Sequence, residues 1–326
     1  MHDDLQKFAE NLLDQAPGVV VRWRLMRDLL GIPTRFPEVD NELRALDQSR
    51  WVSELAQEQW EDGSWGAFHS RNTKRKQRIL TTEFGVARAL ALGLDTSHPI
   101  LKRAEVYLLR VLCGEIPFPD HNEVNDRWPT GVRLFVASTL GLVRPAHPIL
   151  DPDRALWLEI ARRTFQSGVY NEADEIRAHK ELTGASIKGT YLILNGKYQL
   201  NLLGSISGML PLDLEQVLLR WVWQNPNGIG YLSVPLNRHP EDRPAVIDRW
   251  LASLELLAQR FPSRVSVARP AIDWLWSRRD TDGYWDFGSL PRESTCLPFS
   301  DSWRDRRTRR LDWTVRVLTL LNRAGK

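Results

Sequence analysis

The sequence predicts an all-α protein, an (α/α)6 toroid of about six helical hairpins, built as one domain over residues 1–326. Three observations carry this. Turn glycines recur at Gly63, Gly114, Gly168, Gly228 and Gly283, spaced by 51, 54, 60 and 55 residues. A period of that size marks stacked supersecondary units. Apolar helical stretches alternate with amphipathic ones, and no run alternates with the two-residue period of a half-buried strand. Closure into a ring is favoured over an open solenoid by the long polar loops and by the lack of a polar capping repeat.

The elements follow in chain order. Residues 3–55 supply the first hairpin. Gln59-Trp60-Glu61-Asp62-Gly63-Ser64-Trp65-Gly66 is the first turn. An apolar inner helix over 81–94 starts on the caps Thr81 and Thr82 and stops at Gly93. An amphipathic outer helix over 98–112 leads to a weak turn at 112–118 and a polar loop at 117–129. The second inner helix, 128–142, repeats the Leu-Gly-Leu ending of the first. An outer helix at 151–166, a turn at Phe165–Tyr170 and an inner helix at 184–196 come next. They are followed by an outer helix at 211–224, a turn at Trp223–Tyr231 and an inner helix at 244–260. The last units are an outer helix at 263–278, the turn Asp280-Thr281-Asp282-Gly283-Tyr284-Trp285 and an inner helix at 308–322. Pro145, Pro148, Pro152, Pro211 and Pro270 fall where starts and turns are expected. The loops 117–129, 225–243 and 286–307 are long enough to be candidates for function.

The turn has a physical logic. Asp or Asn before Gly ends a helix, and Gly takes the left-handed position without a Cβ penalty. The aromatic residue two positions on folds over the helix end, and Gln59 can bond backbone groups left over there. Several of the fourteen tryptophans, Trp60, Trp65, Trp221, Trp223, Trp274, Trp276 and Trp285, are therefore read as staples between hairpins. Trp128, Trp250, Trp303 and Trp313 lie outside that pattern, where a ligand-facing aromatic is expected.

Composition excludes several classes. Two cysteines, Cys113 and Cys296, rule out a disulfide-dense scaffold and any CxxC motif. Net charge is +3, and 36 of the 44 basic residues are arginine, which suits ion pairs and aromatic stacking. No stretch approaches a membrane span, although peripheral membrane contact stays open. The start, Met1-His2-Asp3-Asp4, lacks the apolar core of a signal peptide, so a cytoplasmic protein is expected. No nucleic-acid-binding motif is found.

Gln59…Asp62-Gly63-Ser64-Trp65-Gly66 resembles the QW repeat of squalene-hopene and oxidosqualene cyclases, which also occurs in protein prenyltransferase β subunits. The resemblance implies an α/α toroid and a central cavity for an isoprenoid or other apolar ligand. It carries over no catalytic residue. The DxDD acid of the cyclases, the DDxxD metal motif and the thioester string of complement-type toroids are all absent. No cofactor and no metal are expected.

Candidate site residues are thus polar groups early in the inner helices. Glu83 and Asp312 fall at the same offset when Leu92-Gly93 is laid on Leu321-Asn322. A carboxylic acid in an apolar, aromatic cavity has a raised pKa and can serve as a general acid. The plainer role is to complement a helix dipole. Ligand-binding candidates are His121, Asp126, Arg127 and Trp128 in the polar loop, with Arg133, Lys188, Asp248, Trp250 and Trp313. The run Arg71–Lys76 and the tail Arg304–Arg310 could meet an anion. In 170–181, Glu172 with Arg177 and Glu175 with His179 read as helix-surface pairs. Three functions compete: acid-catalysed chemistry on an isoprenoid, a non-catalytic binding or scaffold toroid, and a carbohydrate-active (α/α)6 enzyme.

Overall fold

The structure, a computed structural model, describes residues 2–15, 17–33, 37–72, 74–120, 131–184, 192–261, 265–290 and 298–324. The protein is all-α. Its helices are α1 (His2–Asp14), α2 (Val19–Arg24, continued by a π turn Leu25–Leu29), α3 (Pro37–Asp47), α4 (Arg50–Glu58) and α5 (Thr82–Leu92). Then follow α6 (Pro99–Leu112), α7 (Arg133–Val143), α8 (Asp151–Thr164), α9 (Glu172–Thr183) and α10 (Lys197–Leu203). The last four are α11 (Leu212–Gln224), α12 (Pro244–Arg260), α13 (Val265–Ser277) and α14 (Arg306–Ala324). Among the described residues no strand forms, and one parallel bridge joins Gly196 to Gly230. Among the described residues, no helix is long and apolar enough to cross a membrane.

Local chemistry sets the helix ends. The Thr81 hydroxyl accepts from the Phe84 amide, and Gly93 closes α5 in the left-handed region at φ 92°. Prolines open α6 and α12, where a missing N–H costs nothing. Pro270 departs from expectation and lies inside α13.

Helices α5, α7, α10, α12 and α14 form a succession of neighbours. α5 packs on α7, α7 on α10, α10 on α12, α12 on α14, and α14 on α2. Helix α2 meets the end of α5 through the Trp23 indole N–H, which donates to Gly93 O at 2.8 Å. The order of neighbours therefore returns to its start. Asn322 near the chain end donates to Asp28 O at 2.9 Å across the same seam. The amphipathic helices α4, α6, α11 and α13 sit against this set or against one another.

All five turn glycines take positive φ, from 65° to 92°. Each donates its N–H to the carbonyl three residues earlier: Trp60, Val111, Phe165, Asn225 and Asp280. The first and last turns match further. The Trp65 indole donates to Leu55 O at 3.0 Å and the Trp285 indole to Leu275 O at 2.7 Å. Their backbone amides donate to Thr82 Oγ1 and Thr314 Oγ1. Gln59 Nε2 donates to Gly63 O and Ile100 O, both at 2.9 Å, tying the turn to α6. A Cβ on Gly63 would lie 2.2 Å from Arg103 O, so both conformation and space demand glycine there.

Two expectations need correction. The inner helix expected at 184–196 is α10, at Lys197–Leu203, preceded by α9. The 170–181 segment is not a set of surface pairs. Glu175 and His179 are both fully buried. Glu175 accepts from the Tyr170 hydroxyl and the Leu194 amide. His179 lies edge-on to Trp157, and neither ring nitrogen has a partner among the described residues. Burial lowers its pKa from 6.5 to about 4.

Candidate functional site

The first turn delivers a loop that lies over the starts of α5 and α10. Asp120, itself buried, accepts the consecutive amides of Phe68, His69 and Ser70 at 2.6, 2.6 and 2.7 Å. This clamp fixes His69 beside Glu83 in the first turn of α5. His69 Nδ1 is 3.2 Å from Glu83 Oε1 and 3.0 Å from Tyr198 Oη. The Tyr198 hydroxyl donates to Glu83 Oε2 at 2.8 Å. Three side chains from a loop, α5 and α10 thus close one hydrogen-bonded ring.

Burial would raise the Glu83 carboxyl. Lys197, with the bonds from His69 and Tyr198, outweighs that and holds it below the ordinary carboxylate value. This corrects the expected raised acid. An ionised carboxylate only accepts, so it assigns the His69 proton to Nδ1 and makes Nε2 the basic nitrogen. The Glu83 and His69 side chains remain 18% and 17% exposed, enough for a ligand to reach them.

Aromatic rings enclose the histidine. Phe135 of α7 stacks on it at 4.3 Å, and Tyr231 stands perpendicular at 5.6 Å. Tyr231 is 41% exposed and holds φ at 70°, a strained position for a non-glycine residue. The Lys197 amide donates to Gly230 O and the Gly230 amide to Asn195 O, locking this turn to the start of α10. Next to the histidine loop opens a cavity of about 450 Å³ lined by Trp60, Ser70, Arg71, Lys74, Arg75 and Asp120. The Arg75 guanidinium sits 4.4 Å over the Trp60 ring.

The other sequence candidates are placed elsewhere. Asp312 is buried and accepts from the Phe299 and Ser300 amides, the Ser300 hydroxyl and the Trp303 indole. Burial raises its pKa, against the pull of those donors. The equivalence of Glu83 and Asp312 also fails in three dimensions. The matched bonds from Trp65 to Thr82 and from Trp285 to Thr314 put Val315 at the Glu83 position. Arg133 makes a two-point bond to Asp153 and donates to Leu112 O. Asp248 accepts from Arg316, which also grips Glu255. Trp250 and Trp313 are buried in the core. Trp250 stands edge-on to Trp274, and the Trp313 indole donates to Gly288 O. These contacts tie all five side chains into the fold. His121, Asp126, Arg127, Trp128 and Lys188 lie outside the described residues, the first four directly after the Asp120 clamp.

The two basic runs differ. Arg71, Lys74 and Arg75 line the cavity. In the tail, Arg306 and Arg309 pair with Asp286, and Arg310 with Asp280 and Asp282. Sequence reasoning held Asp120 only as part of the polar loop and missed His69, Lys197, Tyr198 and Tyr231 as site residues. The available signal was position: His69 follows the clearest turn by three residues, and Tyr231 ends a partial copy.

No family model, no curated protein and no solved structure matches the chain.

Proposed function

We propose that the protein is an α/α toroid whose inner-helix N-terminal mouth carries a general acid–base site for an anionic small molecule. The ring of neighbours that returns from α14 to α2 supports the toroid, and the two matched tryptophan staples support its kinship in architecture with the cyclase and prenyltransferase toroids. The observation that carries the function is the Glu83–His69–Tyr198 ring beside the Arg71, Lys74 and Arg75 cavity. His69 Nε2 is the base. Glu83 orients the ring and stabilises the imidazolium formed on proton uptake. Tyr198 fixes Glu83, and the cavity guanidinium and ammonium groups hold phosphate or carboxylate. An isoprenoid diphosphate, with an apolar body for the exposed Tyr231 face, is one ligand of this description. An ionised Glu83 favours proton abstraction over acid-initiated cyclisation. A cytoplasmic setting is part of the proposal.

The test is a histidine-resolved NMR titration with inorganic pyrophosphate. We expect saturable shifts of the His69 signals, lost in a triple Arg71→Gln, Lys74→Gln, Arg75→Gln variant. Glu83→Gln moves the His69 titration to lower pH, because a neighbouring negative charge is gone. A His69 signal that ignores both pyrophosphate and Glu83→Gln sinks the proposal.

A further inference from the structure

Among the described residues six large apolar side chains are exposed, and only Trp60 and Tyr231 of these are aromatic. Both belong to the histidine mouth. Trp60 lines the cavity together with Ser70, and Tyr231 stands against His69, the residue before Ser70. In sequence no aromatic interrupts the run Arg71–Lys76. The fold brings the two rings to it from elsewhere.

Trp60 supports a cation. The Arg75 guanidinium lies over its ring, where the negative π-face attracts it. A Cβ on Gly66 would come within 2.7 Å of Arg75 Nη1 and 2.9 Å of Trp60 Cζ2, so glycine leaves the room that this stack needs. Lys74 lines the same cavity. Asp120 does too, but its two oxygens accept three backbone amides, which offset its charge. The described lining holds no aliphatic side chain larger than Ala67 and Pro119, so a flexible hydrocarbon chain gains little there.

Tyr231 is held at the surface from both sides. Its neighbours Ile229 and Leu232 are buried. Asn195 Nδ2 donates to Gly228 O at 2.8 Å, and Asn195 O accepts from the Gly230 amide at 2.9 Å. Tyr198 and Phe135 stand perpendicular to the ring at 4.9 and 6.3 Å. Between these anchors the residue keeps its left-handed backbone. Strain of that kind gathers at ligand clamps.

We infer that the mouth takes a phosphate ester of a planar aromatic ring. The phosphate sits on Lys74 and Arg75, and the ring stacks on the exposed face of Tyr231 beside His69. The inference rests on the acid–base reading above and narrows its ligand. A rigid ring stacks without losing rotamer freedom, whereas a chain of equal carbon count must be ordered to make the same contact. This chemistry has two sources, a carbocyclic aryl phosphate and a nucleoside monophosphate.

Calorimetry on the full chain tests it with phenyl phosphate and AMP. The control is n-hexyl phosphate, which matches phenyl phosphate in charge and carbon count. We expect at least one ring phosphate to bind about tenfold more tightly than the control, the range of one stacked ring. The tighter of the two identifies the ring as carbocycle or base. Tyr231→Asn removes the ring and suits the left-handed backbone. It should erase the preference and leave n-hexyl phosphate affinity unchanged. Arg75→Gln should weaken all three ligands alike. Equal affinity for all three in the unsubstituted protein overturns the inference without recourse to a variant. So does the absence of saturable binding by both ring phosphates, or a preference that survives Tyr231→Asn. None of these outcomes alters the pyrophosphate response of His69, on which the acid–base reading separately stands.

Discussion

The stretch from Trp60 to Glu83 and the stretch from Asp280 to Thr314 share one turn and then diverge. Both turns place a left-handed glycine, an indole bonded ten residues back, and an amide bonded to a helical threonine. Both are followed by a segment clamped by a buried aspartate, Asp120 in the first and Asp312 in the last. The first clamp presents a partly exposed histidine to a carboxylate, beside a basic cavity. The last clamp folds its segment onto Trp303, Trp313 and Phe287, and Arg306, Arg309 and Arg310 pair with aspartates in and just after the turn. The same scaffold unit thus yields a partly open histidine–carboxylate cluster in one place and a sealed wall in another. What differs is whether the clamped loop ends against solvent or against aromatic rings.

The comparison can be broken most sharply at the clamps. Asp312→Ala leaves buried donors at Phe299, Ser300 and Trp303 unpaired and should cost about 3–5 kcal/mol in denaturant unfolding. Acid titration comes next, and His179 sets its background. A pKa near 4 where 6.5 is ordinary means that the unfolded chain binds a proton the folded chain refuses. Stability from this residue is complete above pH 6.5 and falls by about 3 kcal/mol as pH drops towards 4. His179→Phe should flatten that limb. In that background the two carboxylates should act oppositely. Glu83, held low, contributes stability above the ordinary carboxylate pKa and loses it as pH falls through its folded value. Asp312, held high, binds a proton more readily folded than unfolded, so its contribution declines as pH rises through that interval. Glu83→Gln and Asp312→Asn should remove slopes of opposite sign. The same sign for both would undo the contrast.

The turns themselves give a smaller effect. Both glycines have φ near 90°. A Cβ on Gly63 meets Arg103 O at 2.2 Å, whereas one on Gly283 finds nothing nearer than Phe8 Cζ at 3.6 Å. Gly283→Ala should cost about 1 kcal/mol, from φ alone, and Gly63→Ala about 3 or more, from φ and overlap. Equal costs would mean that the two staples do not differ in their packing on the next hairpin. The smallest effect is expected at the mouth. Glu83→Gln should change stability by less than about 1 kcal/mol while shifting the His69 titration, the signature of a site residue and not a staple.

Much of the helical framework was legible in the sequence. The alternation of apolar and amphipathic segments located α5, α6, α8, α11, α12 and α14, since the 3.6-residue period records which face is buried. The five glycines were legible because positive φ restricts residue choice. Helix α10 was missed by about a dozen residues: it has one buried turn after another, so no amphipathic contrast marks its bounds. The site was mostly illegible. Glu83 was found through its place in a first turn, but its ionisation depends on Lys197, Tyr198 and His69, which come from other elements. Asp312 had the same local signal and is bonded into a wall.

By itself the sequence determined the local grammar of this protein: helix periods, caps, and turns that only glycine can make. Those are properties of consecutive residues, set by backbone sterics and the spacing of apolar side chains. The tertiary structure alone decided which carboxylate has its pKa held low and which held high, which arginines face a cavity and which tryptophans are sealed. Those properties depend on distances between residues more than a hundred positions apart in sequence, 115 between Glu83 and Tyr198 and 129 between His69 and Tyr198. Burial and Coulomb interaction act through space and leave no mark on neighbouring letters.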